Sequence, residues 1–395
     1  MKVLMLSWEY PPNVVGGLGA HVAHLAPELA SKGVPVHVVT PRLNGGETEE
    51  AAAGLAVSRV DGDKRAEDFV ENTLAINDYI YGRAAAIVAT QPGPWLIHAH
   101  DWLVGDAAIR LKQDYGLPLL ATIHATEYGR NQGIHTELQA RVHQQEWRLV
   151  READELIACS QFMANQIRDV FQAPASKIEV IPNGVDVQRL AESDFDREAF
   201  RSEYALDGEK IVLHVGRVVA EKGIYVTMDA VPKTVEVEPR ARFIAVGIGP
   251  SLEDARWKAS QAPWSERLLF TGFVSDEVRN RLYQVADVAI FPSIYEPFGI
   301  VALEAMAAGV PVVASNAGGL VEVVDPEETG VVVEAGSPDA LAWGIAHVLE
   351  QPAESACRAE RAYAKATTEF NWSVIADRTK ERYERMLGES LGVGR

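Results

Sequence analysis

Cysteine is nearly missing from this chain: its 395 residues include two, Cys159 and Cys357. Two cysteines build no disulfide framework, and neither stands at a metal-ligand spacing. A reducing cytoplasm is the expected home. Long apolar runs are missing as well. No run of roughly 18 or more uncharged apolar residues, the length of a membrane-crossing helix, is present, so no integral membrane segment is expected. The opening MKVLMLSWEYPP has one lysine and an apolar run too short for a secretion signal, and it reads as a first buried strand. Positive charge is scarce: 37 basic against 56 acidic residues leave a net charge of −19. That balance argues against nucleic-acid partners and anionic membrane surfaces. No G-x-G-x-x-G turn followed by an acidic residue is present, which sets aside a nicotinamide oxidoreductase.

What is present is an alternation of apolar strand-like runs and helical patterns in a chain long enough for two or more domains. Val3–Ser7, Val36–Thr40, Leu96–Ala99, Leu119–Ile123, Leu156–Ser160 and Ile178–Ile181 form one strand series. Ile211–Val215, Arg242–Val246, Leu268–Phe270, Val288–Phe291, Val312–Ala314 and Val331–Val333 form a second. The fold class is therefore α/β, two doubly wound Rossmann-like domains facing a cleft, with ligands at the carboxyl ends of the strands. The expected domains are residues 1–185 and 209–371, joined by a linker at 186–208 with a short helix. An amphipathic helix at about 372–387 would pack back on the first domain, followed by a frayed tail. Residues 43–68, polar and acidic, read as an exposed excursion.

The densest chemistry lies in FPSIYEPFGIVALEAMAAGVPVVAS, Phe291–Ser315. A strand ends before Glu296, Pro297 to Gly299 turn the chain, and Ile300–Ala308 has helix composition. A helix start presents unpaired N–H groups and partial positive charge, and Gly299 admits a close ligand, so a phosphate fits. Glu296 then lies beside whatever the phosphate carries. Glu304, about two turns down the helix, would accept from hydroxyls. The same spacing also suits a plain strand–helix unit with a capping glutamate. In VLHVGRVVAEKGI a strand ends at Gly216, and Arg217 and Lys222 follow on one loop, either to embrace a diphosphate or as two solvated cations. WEYPPNVVGGLGAHV places Gly16, Gly17 and Gly19 before a helix, where they permit close backbone approach. HAHDWL sets His98, His100 and Asp101 at one strand end, and TIHATEYGR sets His124, Thr126, Glu127 and Tyr128 at another. The alternation of His98 and His100 suggests a metal, but no third ligand is fixed by spacing, and no metal is expected. IPNGVD reads as a turn on its Asn-Gly pair. VGIGP, FTGFVSDE and NAGGLVEVV are strand-end turns suited to a base, a sugar or a phosphate.

Together GRVVAEKG, FTGFVSDE, SIYEPFGIVALEAMAAGVPVVAS and the Asn-Ala-Gly-Gly turn resemble the family 4 retaining glycosyltransferases of GT-B fold. EYPPNVVGGLGAHV, HAHDWL and HATEYGR lean toward the glycogen- and starch-synthase-like branch. The resemblance implies a metal-independent, retaining hexosyltransferase without cofactor. Its partners would be a nucleotide-sugar donor, with UDP- or ADP-glucose foremost, and a glucan or small sugar-like acceptor. It implies that Arg217 and Lys222 bind the diphosphate beside Gly216, and that Glu296 contacts the donor sugar. Phe298, Gly299 and Ile300 would offer N–H groups, and Glu304 would hold the ribose. His124 would sit beside the donor sugar, Asp101 near the acceptor, Gly16 and Gly17 over the diphosphate, and Gly272, Phe273 and Val274 around the base. Val14 stands where glycogen and starch synthases carry a lysine two positions before their paired glycines, which leaves donor base and acceptor open. A nucleotide-sugar-binding protein without transfer, or a GT-B phosphorylase, are the alternatives.

Overall fold

The computed structural model describes residues 1–62, 68–191 and 194–390. They form two compact units, Met1–Gly184 joined by the chain from Trp372 onward, and Val185–Asn371.

The first unit is built on eight strands: β1 (Lys2–Ser7), β2 (Val36–Pro41), β3 (Glu49–Ala52), β4 (Leu55–Val60), β5 (Trp95–His100), β6 (Leu119–Ile123), β7 (Glu155–Ala158) and β8 (Ile178–Val180). Their order is β3-β4-β2-β1-β5-β6-β7-β8. Every pairing is parallel except β3 with β4. β2 and β5 are buried throughout, as expected of strands covered by helices on both faces. The helix Gly17–Ser31 and the last helix, Trp372–Ser390, share one core with the sheet, where Trp372, Ile375 and Tyr383 meet Val3, Met5 and Leu25.

The second unit has six strands: β9 (Lys210–Val215), β10 (Ala241–Val246), β11 (Leu268–Gly272), β12 (Val288–Phe291), β13 (Val312–Ser315) and β14 (Val331–Val333). All are parallel, in the order β11-β10-β9-β12-β13-β14. In each sheet the order reverses beside the first strand, between β1 and β5 and between β9 and β12. A crevice opens there at the carboxyl ends, because the connections leave to opposite sides.

Three expectations need correction. Residues 43–68 are not a wholly exposed excursion: β4 pairs with β2, and Val57, Ser58, Arg59 and Val60 are buried. The buried arginine is paired rather than solvated, since its guanidinium donates to Glu47 O at 2.7 Å and to Glu50 Oε1 at 2.6 Å. Residues 63–67 of that segment, and 391–395 of the expected frayed tail, lie outside the described residues. The last helix continues to Ser390, past the expected end near Leu387. The stretch expected as a linker packs on the second unit through helices Val187–Ala191 and Arg197–Ser202. Arg201 Nη2 meets Asp287 Oδ2 at 2.7 Å, and Gln284 Nε2 donates to Leu190 O at 2.9 Å.

Candidate active site

In the second unit, β9 and β12 deliver two loops to the switch point. After β9 the chain passes Gly216 and Arg217 to a single 3-10 turn, Ala220–Lys222, which ends at Gly223 with φ +75°. A Cβ on Gly223 would stand 1.9 Å from Pro292 O, so only glycine lets the two loops touch. The contact is sealed where Ile294 N donates to Glu221 O at 2.8 Å. Lys222 is thereby aimed across the gap. Its Nζ lies 2.6 Å from Glu296 Oε2, with side chains 19% and 7% exposed. Ser293 Oγ donates to the same oxygen at 3.2 Å. Beneath, His214 bonds Thr227 Oγ1 at 2.9 Å and is held neutral, its pKa lowered to about 4 by burial and then by the Lys222 charge. Arg217 is less committed. Its side chain is 43% exposed and meets its neighbour Glu221 at 3.3 Å.

Gly299, with φ +110° and ψ +49°, turns the chain into the helix Ile300–Ala307. A Cβ there would meet Leu320 Cδ2 at 2.7 Å. The first N–H groups of this helix have no acceptor within it and carry its positive end. The helix starts at Ile300, so Glu304 is just over one turn in, not two. Its carboxyl is buried against Tyr283 Oη at 3.3 Å and Arg279 Nη2 at 3.8 Å. Burial pushes its pKa up, and Arg279 and Tyr283 partly offset that. The NAGG turn is explained by packing. Gly319 N donates to Glu296 O at 2.8 Å, and a Cβ on Gly319 would stand 2.4 Å from Pro297 O. At the end of β11, Gly272 has φ +75°, Val274 is half-buried, and Phe273 is 76% exposed.

In the first unit the glycine turn after β1 has a partner the sequence did not disclose. Glu9 Oε2 accepts from Val15 N at 2.8 Å and Gly16 N at 3.0 Å. A Cβ on Gly19 would stand 2.6 Å from that same oxygen. Gly16, whose N–H this carboxylate holds, caps the helix that Gly17 opens.

The parallel pairing of β1, β5 and β6 stacks Ser7 beside His100 and His100 beside Thr122. His98 Nδ1 meets Tyr383 Oη and its Nε2 meets Thr122 Oγ1, both at 2.7 Å. His100 Nδ1 lies 3.1 Å from His124 Nε2. His21, on the helix after the glycine turn, adds a third imidazole to that pair, and its Nδ1 lies 2.7 Å from Asn183 Oδ1. Burial lowers every one of these imidazoles, His21 to about 4 and His98 to about 3; His100 and His124 fall well below the ordinary value. Asp101 has φ +60° and ψ +173°, a region that glycine alone adopts freely. It is held there because its carboxylate accepts from His124 N at 2.7 Å. Burial pushes its pKa up to about 7, with Arg130 pulling the other way.

So Lys222, Glu296, Phe298, Gly299 and Ile300 gather at one switch point, with Arg217 at its rim, and His124 and Asp101 gather at the other. Sequence reading missed Glu9, His21 and Asn183. The His21–Asn183 contact spans 162 positions of chain, which no local spacing encodes, whereas Glu9 reaches Val15 and Gly16 only six and seven positions on. The Asn-Gly pair marks Asn183 in the sequence as a turn residue and nothing more. No helix among the described residues is long and apolar enough to cross a membrane.

Residues 196–367 match the family described as glycosyl transferases group 1, and residues 15–189 match glycosyltransferase family 4. A glycogen synthase of Mycobacterium tuberculosis is 37% identical, over 97% of this chain and 94% of that one. The sucrose-phosphate synthase of Thermosynechococcus elongatus superposes with a TM-score of 0.84 at 27% identity, covering 98% of this chain and 99% of its own. The catalytic domain of starch synthase IV from Arabidopsis thaliana, solved with ADP and acarbose, gives 0.79 at 18% identity, covering 98% and 99%. The fold, the paired switch points and a relative matched along nearly its whole length agree: this chain belongs to the family 4 glycosyltransferases of GT-B fold, in the glycogen-synthase-like branch.

Proposed function

We propose that the chain moves a glucosyl group from a nucleoside-diphosphate glucose to a glucan or a small sugar-like acceptor, with retention and with no metal on the diphosphate. The observation that carries this reading is the Lys222–Glu296 pair, 2.6 Å apart beside the start of the Ile300–Ala307 helix. It puts an ammonium and open backbone donors on one spot at the switch point of a parallel sheet. A diphosphate entering there takes hydrogen bonds from Gly299 and Ile300 and charge from Lys222 and Arg217, which turns from Glu221. Glu296 is left facing the sugar hydroxyls, and Glu304 the ribose. Gly216 and the Gly272–Val274 loop, with its exposed Phe273, flank the nucleotide.

As the bond from the anomeric carbon to the diphosphate oxygen breaks, its electron pair goes to the leaving diphosphate. The cations and the helix start stabilise that charge without reorganising. The acceptor hydroxyl attacks the same face, and its proton passes to the departing phosphate oxygen. His124 is assigned to the donor sugar as a neutral hydrogen-bonding group, and Asp101 to the acceptor. The ADP and acarbose in the starch synthase neighbour, and the sugar phosphate in the name of the closer structural neighbour, support a nucleotide-sugar donor and keep both acceptor classes in play.

Incubation with ADP- or UDP-glucose and maltooligosaccharide or sugar-phosphate acceptors, followed by NMR of the new glycosidic bond, tests this. An α-linked product from the α-linked donor is expected. A β-linked product overturns retention, and no product with any common donor overturns transfer.

A further inference from the structure

His21, His100 and His124 offer nitrogen atoms that all lie within 4.8 Å of one another. Two of these rings are buried, His21 at 3% and His100 at 0% exposure, while His124 is half-buried. Among the described residues His21 Nε2 and His100 Nε2 have no hydrogen-bond partner, although leaving a buried polar atom without one is destabilising. The surroundings fix His21 as a ligand set requires, while His100 Nδ1 and His124 Nε2 share a 3.1 Å hydrogen bond that an ion would replace. Asn183 Oδ1 accepts from His21 Nδ1 at 2.7 Å, which leaves Nε2 as a bare lone pair turned into the cluster. An outer partner that holds a ring's tautomer and direction is typical of metal-bound histidine. His98 is excluded as a ligand because both its nitrogens are engaged, and its ring, 4.2 Å from that of His100, holds the latter in place. No carboxylate belongs to the trio, so the donor set is three neutral imidazoles.

We infer that His21, His100 and His124 form a binding site for a borderline divalent transition metal, zinc foremost, in the first unit. Zinc–nitrogen bonds are about 2.0–2.1 Å, so donors on one tetrahedral ion stand roughly 3.3 Å from each other. Side-chain adjustments of about 1 Å or less close the set. Imidazole favours zinc, copper and nickel over magnesium and calcium, which prefer oxygen. Three protein donors leave a fourth position open on the side of the half-buried His124. The consequence for activity rests on the proposed function: an ion on His124 removes the imidazole assigned to the sugar, so the metal-loaded chain is inhibited and the chelated chain is active.

The full chain, dialysed against chelator, is titrated with Co²⁺ and then with Zn²⁺ in a competition assay. One equivalent of Co²⁺ with the visible absorption of a four-coordinate site is expected, displaced by Zn²⁺. Asn183→Ala is expected to loosen the ion by about 10–100-fold, and His21→Gln and His100→Gln by more than that. X-ray absorption of the zinc-loaded wild-type chain keeps the inference testable should those variants fail to fold: a shell of imidazole nitrogens supports it, and an all-oxygen shell overturns it. Absence of stoichiometric binding, or binding undiminished in both histidine variants, also overturns it. Transfer activity without metal binding removes this inference alone. Metal binding with no transfer by the chelated chain on any donor removes the proposed function alone.

Discussion

Lys222 and Glu296 hold each other in surroundings that hydrate neither well. Removing the ammonium leaves a carboxylate that is 7% exposed with Ser293 as its remaining donor. Breaking such a pair from one side costs about 3–5 kcal/mol when fully buried, and less here because the lysine is 19% exposed. Lys222→Met is therefore expected to lower stability by roughly 2–3 kcal/mol in urea melts, and Lys222→Met/Glu296→Gln to recover most of it. Equal losses in the single and double variants would show that the pair does not couple. Asp101 is the other residue under tension. Its carboxyl ionises near pH 7 in the fold but near about 3.9 unfolded. The folded chain thus binds the extra proton, and this group's contribution to stability falls as pH rises from about 4 to 7. Asp101→Asn keeps an oxygen for His124 N and has no charge to bury. It is expected to be more stable than wild type at pH 8 and no more stable at pH 4; a gain at both values would mean that the buried charge is not the cause.

The loops that carry the site depend on glycines whose missing Cβ is a contact, not a freedom. Gly19→Ala is expected to drive the Glu9 carboxylate off Val15 N and Gly16 N, because its methyl would stand 2.6 Å from that oxygen. A loss of about 1–3 kcal/mol in thermal melts follows, whereas Gly16→Ala, with nothing within 4 Å of its Cβ, is expected to cost less. Reversal of that order would mean that Glu9 is not the constraint. These elements also show what was legible in the sequence. Phe291–Ser315 could be read because an apolar run, a Pro-Phe-Gly turn and a helix-forming run follow one another within the chain itself. The β3–β4 pair could not, because Ser58 and Arg59 look solvent-facing and are buried by partners at His37, Glu47, Glu49 and Glu50. The third imidazole could not either. His98 and His100 are neighbours by strand periodicity, but His21 reaches them only through the β1–β5 pairing and the path of the helix after β1. Lys222 and Glu296 were recognisable as residue types, but their direct pairing across 74 positions was not.

Across the first unit, burial of histidine sets the response to acid. His21 and His37 are lowered to about 4 and His98 to about 3, and His100 and His124 fall with them. The unfolded chain takes up these protons near pH 6.5 and the folded unit does not, so the histidines' contribution to stability is full above about pH 6.5 and lost as pH falls toward 4. Asp101 and Glu146, raised to about 7 and about 8, slope the opposite way but are outnumbered. Urea midpoints are expected to fall between pH 6.5 and 5; a midpoint that holds steady there would mean that the imidazoles are protonated in the folded unit. The measurement that bears most directly on function is acceptor-dependent release of nucleoside diphosphate from ADP- or UDP-glucose in the presence of EDTA, by wild type and by Lys222→Ala. Turnover that persists under chelation and drops on the order of 100-fold in the variant is the expected result, the scale of one lost charge-stabilising donor. Release that requires an added divalent cation, or that is unchanged without the Lys222 ammonium, would contradict a diphosphate neutralised by the protein alone.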